Sequence, residues 1–293
     1  MVSELKLFRD VALSRSMSRG AAANGVSQSA ASQHIGELER RLKVELLDRS
    51  TRPLGLTDAG RLYLEFCRDV VRRAEEFDAS LDQVRSEVTG ELRVASIYSI
   101  ALTEMTRVRE EFERVCSCVE LRVEYLRPDK VYDAVVNETA DLGLVSYPEP
   151  TRLVAVIPWR RERMAAAVPP DHRLARRKRI SVGDLDGEAF VAFDPDLAIR
   201  KEIDRFLRER DVRVEIAMHF DNIQMVKEAV ALGHGVSILP DRTMQNEIEQ
   251  GRLCAIALDA PELARTLGVL HRKRKKLNRA AKAFLAALPT GTA

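Results

Sequence analysis

A chain of 293 residues with 47 Lys and Arg against 45 Asp and Glu, a formal net charge of +2, is long enough for two or three domains with real cores. It is too near neutrality for bulk charge to indicate or exclude a nucleic-acid partner, so any DNA binding has to be local. Its four cysteines, Cys67, Cys116, Cys118 and Cys254, form no CxxC pair and no metal spacing with histidine, which argues for reduced, buried thiols and against a disulfide framework or zinc site.

The opening residues interleave charged and apolar side chains, unlike the apolar core of a signal peptide. No run of about eighteen apolar residues follows, so no membrane span is expected and the protein is expected to be cytoplasmic. Leu5, Phe8, Val11 and Ala12 set a helical stripe. A second, short helix starts at Ser18 and runs through Ala21, Ala22 and Ala23 to a turn at Asn24 and Gly25. The third opens on Ser27, an N-cap that can accept a bond from an orphan amide, and turns Ala31, Ile35, Leu38 and Leu42 inward.

That leaves Gln28, Ser29, Ser32, Gln33 and Gly36 near the start of the outer face. Solvated helix faces ordinarily carry Lys, Glu and Arg, which are better helix formers. Serine and glutamine suit close approach instead: glutamine pairs bidentately with adenine, and serine serves as donor or acceptor in a major groove. A poorly composed surface helix is the plainer reading. The setting decides, because helix, tight turn, helix with small residues at the crossing is a helix-turn-helix whose second helix enters the groove. His34 on this helix and Arg19 on the preceding one join the candidate DNA contacts.

Extended runs at 46–49 and 53–56 flank a polar tip with Arg49 and Arg52. This reads as a two-stranded wing whose arginines hold phosphate without reading sequence, or as a solvated hairpin. Thr57 then caps a long helix that Gly90 ends, with Leu62, Phe66, Val70, Ala74, Phe77, Leu81, Val84 and Val88 recurring every three or four residues. Its rod of about 45 Å carries a stripe that asks for a partner. Self-association into a dimer would set two recognition helices on one duplex, reading a dyad with half-sites about 34 Å apart or a multiple of that.

These residues resemble the LysR-type transcriptional regulators. The match runs through Ala21, Ser27, Gln28, Ser32, Leu38, Glu39, Leu42, Leu46 and Arg49 to the L-T-x-A-G of Leu56, Thr57, Ala59 and Gly60. Departures are Gly20 and Asn24, where the family tends to have Ala and Leu, Ser29 for a common Pro, and Lys43 for a common Gly. Asn24 is expected to loosen the packing of the second helix.

From Glu91 strands and helices alternate: strand 91–97, helix 103–116, strand 119–126, helix 129–137, strand 141–146. That order implies a parallel sheet covered on both faces. A second set has strands near 165–168, 189–193, 214–219 and 236–239 and helices near 195–210 and 222–232. The run 267–270 and a helix over 277–288 return to the first set, so crossings around Pro158 and Leu263 would form a hinge.

Two such lobes bind ligands at the strand C-ends. Tyr98 and Ser99 follow the first strand, where free amides favour an anion. Arg127 follows the second, Ser146 and Tyr147 the third, Asp194 follows Phe193, and Asn222 opens a helix. The plainer readings are helix caps for Ser99, Asp194 and Asn222, lid packing for Tyr98 and Tyr147, and a surface charge for Arg127. If Arg127 faces the cleft it favours an anionic effector.

This half is also similar to the LysR family, at the Leu92 strand, at DLGL from Asp141, at the Pro170, Asp171, His172 loop, and from Gly233 to Pro240. The resemblance implies an α/β protein with an N-terminal all-α winged helix-turn-helix (1–58) and a linker and dimerisation helix (59–89). A two-lobed, periplasmic-binding-protein-like effector domain follows (90–293), with lobe I at 90–159 and 264–293 and lobe II at 160–263. It implies a sequence-specific regulator, not an enzyme, without cofactor or metal. Its partners would be double-stranded DNA at an interrupted dyad, a small-molecule effector, the transcription machinery, and copies of itself in a dimer or tetramer.

The basic runs RRKR at 176–179 and RKRKK at 272–276 read as solvated faces, since both lie far from the helix-turn-helix. GHG at 233–235 is not a GxGxxG, and HExxH, GxSxG and a P-loop are absent. A soluble solute-binding protein, or an enzyme acting on a cleft-bound ligand, are the alternatives. The first ninety residues argue against the former and the scattered histidines against the latter.

Overall fold

Helix α1 (Val2–Ser14) buries Leu5, Phe8, Val11 and Ala12, and α2 (Met17–Ala23) crosses it closely at Gly20, where a β-carbon would overlap the Val11 backbone. Asn24 tightens this crossing rather than loosening it: its Nδ2 donates to Asp10 (2.9 Å) and to the Gly20 carbonyl (2.9 Å), and Asp10 also accepts from the buried Arg9. Helix α3 (Gln28–Leu42) turns Ala31, Ile35 and Leu38 inward and leaves Leu42 exposed. It ends at Lys43 in the left-handed conformation (φ +57°), the backbone state that glycine adopts without strain.

Strands β1 (Leu47–Asp48) and β2 (Gly55–Leu56) pair antiparallel as a short wing. Thr57 follows as a double tie, accepting from the Gly60 amide (2.9 Å) and donating to the Glu45 carbonyl (2.6 Å). A β-carbon at Gly60 would overlap the Leu46 carbonyl oxygen, so glycine is what lets α4 (Asp58–Val84) start against the wing.

Helix α4 is apolar on two faces. Leu64, Cys67 and Val71 are buried in the same core as α1, with Tyr63 edge-on to Phe8 at 5.0 Å. Leu62, Phe66 and Phe77, from the stripe expected to seek a partner, are exposed at 70%, 53% and 62%. The computed structural model describes residues 2–84 and 89–289. The side chains of Leu81 and Val84, and Val88 altogether, lie outside the described residues. The chain divides into two units, Met1–Ser86 and Glu87–Ala293.

In the second unit β3 (Gly90–Ser96), α5 (Tyr98–Val115), β4 (Val119–Tyr125), α6 (Pro128–Val136) and β5 (Leu142–Ser146) form the expected βαβαβ series, with parallel strands in the order β4-β3-β5. The sheet is mixed rather than wholly parallel. Strand β6 (Val154–Val168) begins well before the apolar run at 165–168, passes from lobe I into lobe II, and is antiparallel to its neighbours. The charged stretch Arg160, Arg161, Glu162, Arg163 conceals it from a hydropathy pattern, yet Arg160 and Glu162 point inward and are buried.

Lobe II adds β7 (Arg179–Ile180), β8 (Ala189–Phe193), α7 (Ala198–Arg208), β9 (Glu215–Phe220), α8 (Ile223–Ala231), β10 (Ser237–Pro240), α9 (Gln245–Glu249) and β11 (Cys254–Leu258). The short strand β7, helix α9 and strand β11 are additions to the sequence expectation. Strand β12 (Ala264–Arg272) lies between β5 and β6 and returns the chain to lobe I, where α10 (Arg279–Ala287) packs Phe284 against Phe112 of α5. Each lobe has its own core. Of the basic runs, Arg177, Arg179, Arg272 and Lys275 are paired with Asp184, Asp259, Glu138 and Asp141, as solvated or structural faces are.

Candidate DNA-binding surface and effector cleft

The start of α3 is held by Ser27, whose hydroxyl accepts from the Ala30 amide (3.2 Å) and lies 2.9 Å from that of Ser29. Gln28, Ser29, Ser32 and Gln33 are all exposed. Gln28 and Ser32 make no side-chain hydrogen bond among the described residues, and Gln33 reaches Glu37 at 3.4 Å. Four exposed, uncharged donor-acceptor groups thus stand on the opening turns of one helix, Gln28 and Ser32 without a side-chain hydrogen bond and Ser29 and Gln33 with only one exposed contact each. Arg19 is exposed nearby on α2, with Nη2 donating to the Ser14 carbonyl (2.7 Å).

His34 stands apart from that group. It lines a groove of about 150 Å³ with Glu4, Leu7, Ile35, Glu37, Leu38 and Arg41, on the flank of α3 beside α1.

The two wing arginines differ. Glu39, 8% exposed on α3, accepts from the Leu46 and Leu47 amides (2.8 and 3.0 Å) and from Arg49 Nη2 (2.8 Å). Burial raises the pKa of this carboxyl, but Arg49 and the two amides outweigh it and hold it below the usual value. Arg49 is therefore committed to clamping the wing onto α3. Arg52 is exposed and has no side-chain partner among the described residues.

In the second unit a cavity of about 50 Å³ lies between the lobes. Tyr98, Ser99, Arg127, Ser146 and Asn222 line it, as the sequence led one to expect. Asp194 and Tyr147 do not. Asp194 sits at the mouth, accepting from His219 Nδ1 (2.7 Å) when that nitrogen carries the proton and from Arg127 (3.5 Å). Tyr147 has a positive φ (+49°) and turns its ring onto the core of lobe II, where burial pushes its hydroxyl up to about 12.

The N-cap residues of four helices contribute to the lining: Ile97 of α5, Arg127 of α6, Leu197 of α7 and Asn222 of α8. Three of these make no side-chain cap bond; only Asn222 does, to the Met225 amide (3.0 Å). Orphan amides and the positive ends of helix dipoles therefore converge on one small space. Most of the remaining wall is apolar, from Leu126, Phe193, Ile199 and Ile223.

Arg265 is the lining residue that sequence reasoning missed. It is 1% exposed, with Nη1 donating to Ser99 Oγ (2.8 Å) and Nε and Nη2 donating to Glu162 Oε2 (2.9 and 2.5 Å). Glu162 also accepts from Arg160 (2.5 Å), Arg160 donates to Glu104 (2.8 Å), and Glu104 accepts from Arg242 of lobe II (2.9 Å). Burial pushes Glu162 up, but Arg265 and Arg160 outweigh it and keep the carboxyl below its usual range. The result is a chain of alternating charges beneath the cavity, where the strands cross, buried from Arg265 to Glu104 and reaching the surface at Arg242.

The charge expected of Arg127 is offset. Lobe II surrounds this guanidinium with Asp196 (2.7 Å), Asp221 (3.4 Å) and Asp194 (3.5 Å), and Asp129 of its own helix lies at 3.6 Å. Arg127 alone therefore gives no net pull on an anion. Among the described residues no three of His, Cys, Asp and Glu are grouped as a metal site, and no helix is long and apolar enough to cross a membrane.

Residues 2–61 match the model for the bacterial regulatory helix-turn-helix proteins of the lysR family, and residues 85–292 match the LysR substrate binding domain. Similar proteins include a RuBisCO operon transcriptional regulator of Allochromatium vinosum, 27% identical over 96% of this chain and 93% of that one. The HTH-type transcriptional regulator CysL of Bacillus subtilis is 26% identical over 91% and 89%. Full-length OxyR from Pseudomonas aeruginosa shares the fold with a TM-score of 0.76 at 19% identity, covering 98% of this chain and 94% of that one. Full-length CbnR, solved in complex with its target DNA, does so with a TM-score of 0.66 at 19% identity, covering 98% of each chain.

Proposed function

The chain belongs to the LysR family of DNA-binding transcriptional regulators with an effector-binding domain, and from that premise we propose how its residues divide the work. Gln28, Ser29, Ser32 and Gln33 read base edges in the major groove, with Arg19 and Arg52 on flanking phosphates. The observation that carries this reading is the exposed, uncharged face at the start of α3, on which Gln28 and Ser32 make no side-chain hydrogen bond among the described residues. Arg49 acts by fixing the wing, and His34 contributes less than its place in the sequence suggested.

The outward stripe of Leu62, Phe66 and Phe77 on α4 is the surface for a second copy. A two-fold pair would read an interrupted dyad, and further pairing would give a tetramer. The protein would act in the cytoplasm, with the transcription machinery as its downstream partner.

The effector is a small molecule bearing an anionic group, seated among the helix N-termini beside Ser99 and Arg265. The support for an anion is the convergence of uncapped helix starts, not Arg127. The ligand controls transcription by binding two arrangements of the oligomer with different affinity, since equal affinity would shift neither. It is bound and released without turnover, so ligand incubated with the protein should be recovered unchanged.

The test is to mix the protein with fragmented DNA of its own organism at physiological salt and sequence what is retained. Enrichment of a few sites sharing an interrupted dyad is expected. Retention of all fragments alike would overturn base reading by α3.

A further inference from the structure

We propose that Arg127 is an electrostatic clasp that holds the two lobes closed at the mouth of the cleft and sets how readily the cleft opens. Arg127 projects from the start of α6 in lobe I. Its three carboxylate partners across the mouth come from two turns of lobe II: Asp194 and Asp196 between β8 and α7, and Asp221 between β9 and α8. Among the described residues, the ion pairs that join the lobes away from the buried charge chain and its Arg242–Glu104 end all run through this one guanidinium.

The balance of charge gives the clasp its behaviour. One cation faces three carboxylates across the gap and a fourth, Asp129, on its own side; on lobe II, His219 lies against Asp194. Opening withdraws the cation and leaves Asp194, Asp196 and Asp221 facing one another, so separation loses attraction and uncovers repulsion together. Arg127 is 30% exposed and Asp196 is 66% exposed, which lets water and salt reach the pairs. Such pairs are weak singly but act together in a network, and they are screened as the Debye length falls from about 10 Å at 0.1 M salt to about 3 Å at 1 M.

Closure thus has a part set by ionic strength, unlike the buried pairs among Glu104, Arg160, Glu162 and Arg265 at the crossing strands. The biological consequence, that effector entry waits on release of Arg127, rests on the reading of the cavity given above; the clasp itself does not.

The test needs no ligand. Spin labels on Arg152→Cys in lobe I and Arg208→Cys in lobe II, in full-length protein carrying Cys118→Ser and Cys254→Ser, report the distance between lobes by pulsed electron resonance. In otherwise native protein, raising salt from about 0.1 M to about 1 M should increase the population at long distance. Arg127→Met should raise the open-to-closed ratio about tenfold at low salt, equivalent to about 1.4 kcal/mol, and remove most of the salt response. Asp196→Asn, a near-isosteric change at an exposed position, should give a smaller shift in the same direction. The emission of Trp159, the one tryptophan of the chain, with the Arg160 guanidinium 4.7 Å from its ring, should follow the same transition.

A distance distribution that ignores salt in the native sequence would overturn the clasp, whatever becomes of the variants. So would Arg127→Met that folds and leaves the distribution unchanged. Loss of base-specific DNA retention would count against the regulator reading instead, and would leave the clasp standing.

Discussion

The candidate DNA-binding surface and the candidate effector cleft each pair an arginine held by a glutamate with a second one, but they use the second differently. On the wing, Glu39 immobilises Arg49 and leaves Arg52 without a partner. In the cleft, Glu162 immobilises Arg265, while Arg127 is claimed by three carboxylates. A surface with open hydrogen-bonding capacity can meet its ligand without rearranging. A cleft that satisfies its own charges must exchange internal contacts for external ones, and that exchange is what makes it responsive.

The largest effect should come from the fixed half of the cleft. Glu162→Gln would leave Arg160 and Arg265 buried with too little negative charge, and should cost about 3 to 5 kcal/mol in urea unfolding of the effector unit. A loss below about 1 kcal/mol would show that the cluster is hydrated and does not differ in kind from the clasp.

The same contrast has a pH signature. Glu162 and Glu39 both titrate below their ordinary values in the folded protein. Their contribution is therefore complete above the unfolded carboxylate range and is lost as pH falls through the lower, folded values. Stability should decline on acidification across that window, and Glu162→Gln should flatten the decline. An unaltered pH profile in the variant would remove Glu162 from the account.

On the DNA side, Gln28→Ala should cost about 1 to 3 kcal/mol at the cognate site and relax base preference there. Equal loss on random DNA would make Gln28 a supporting residue only. Smallest, Arg52→Ala should weaken all sequences alike and reduce the slope of log affinity against log salt by about 1. Arg49→Ala should instead lower the stability of the wing, visible in thermal unfolding without DNA. If both arginines behave alike, the distinction between fixed and free is lost.

Much of the first unit was legible because its information is local. Ser27 caps its own helix, and Thr57 and Gly60 work within a few residues of each other and of the wing. The inner face of α4 was harder to see, because Leu62, Phe66 and Phe77 satisfied the helical period and drew attention from Leu64, Cys67 and Val71 on the opposite side. Asn24 reads as a loosening residue in the sequence because a polar side chain at a packing position looks like a defect until its partner, Asp10 on another helix, is known.

In the effector unit, Tyr98, Ser99, Arg127, Ser146 and Asn222 could be placed because strand-to-helix turns recur at one edge of a sheet. Arg265 could not. Its role depends on lying opposite Glu162 in the β12-β6 register, a relation between residues 103 positions apart. Tyr147 was placed in the right turn, but its left-handed backbone aims the ring elsewhere. The first half of strand β6 is hidden in the sequence because buried Arg160 and Glu162 look like surface residues when their partners are unknown.

Strand β6 is one continuous segment of 15 residues that belongs to both lobes. Sliding one lobe past the other would break its ladders on both sides, whereas twisting the ribbon it forms with β12 would keep them. The ladder changes register at Leu267 and Gly268, close to the buried charges. Motion between the lobes should therefore be torsional, with a pivot a few residues long, so that a small rotation at the cavity becomes a larger displacement at the far surfaces of both lobes. In that geometry the lobes act as levers, and the distance of a surface from β6, more than its distance from the ligand, decides how far it moves.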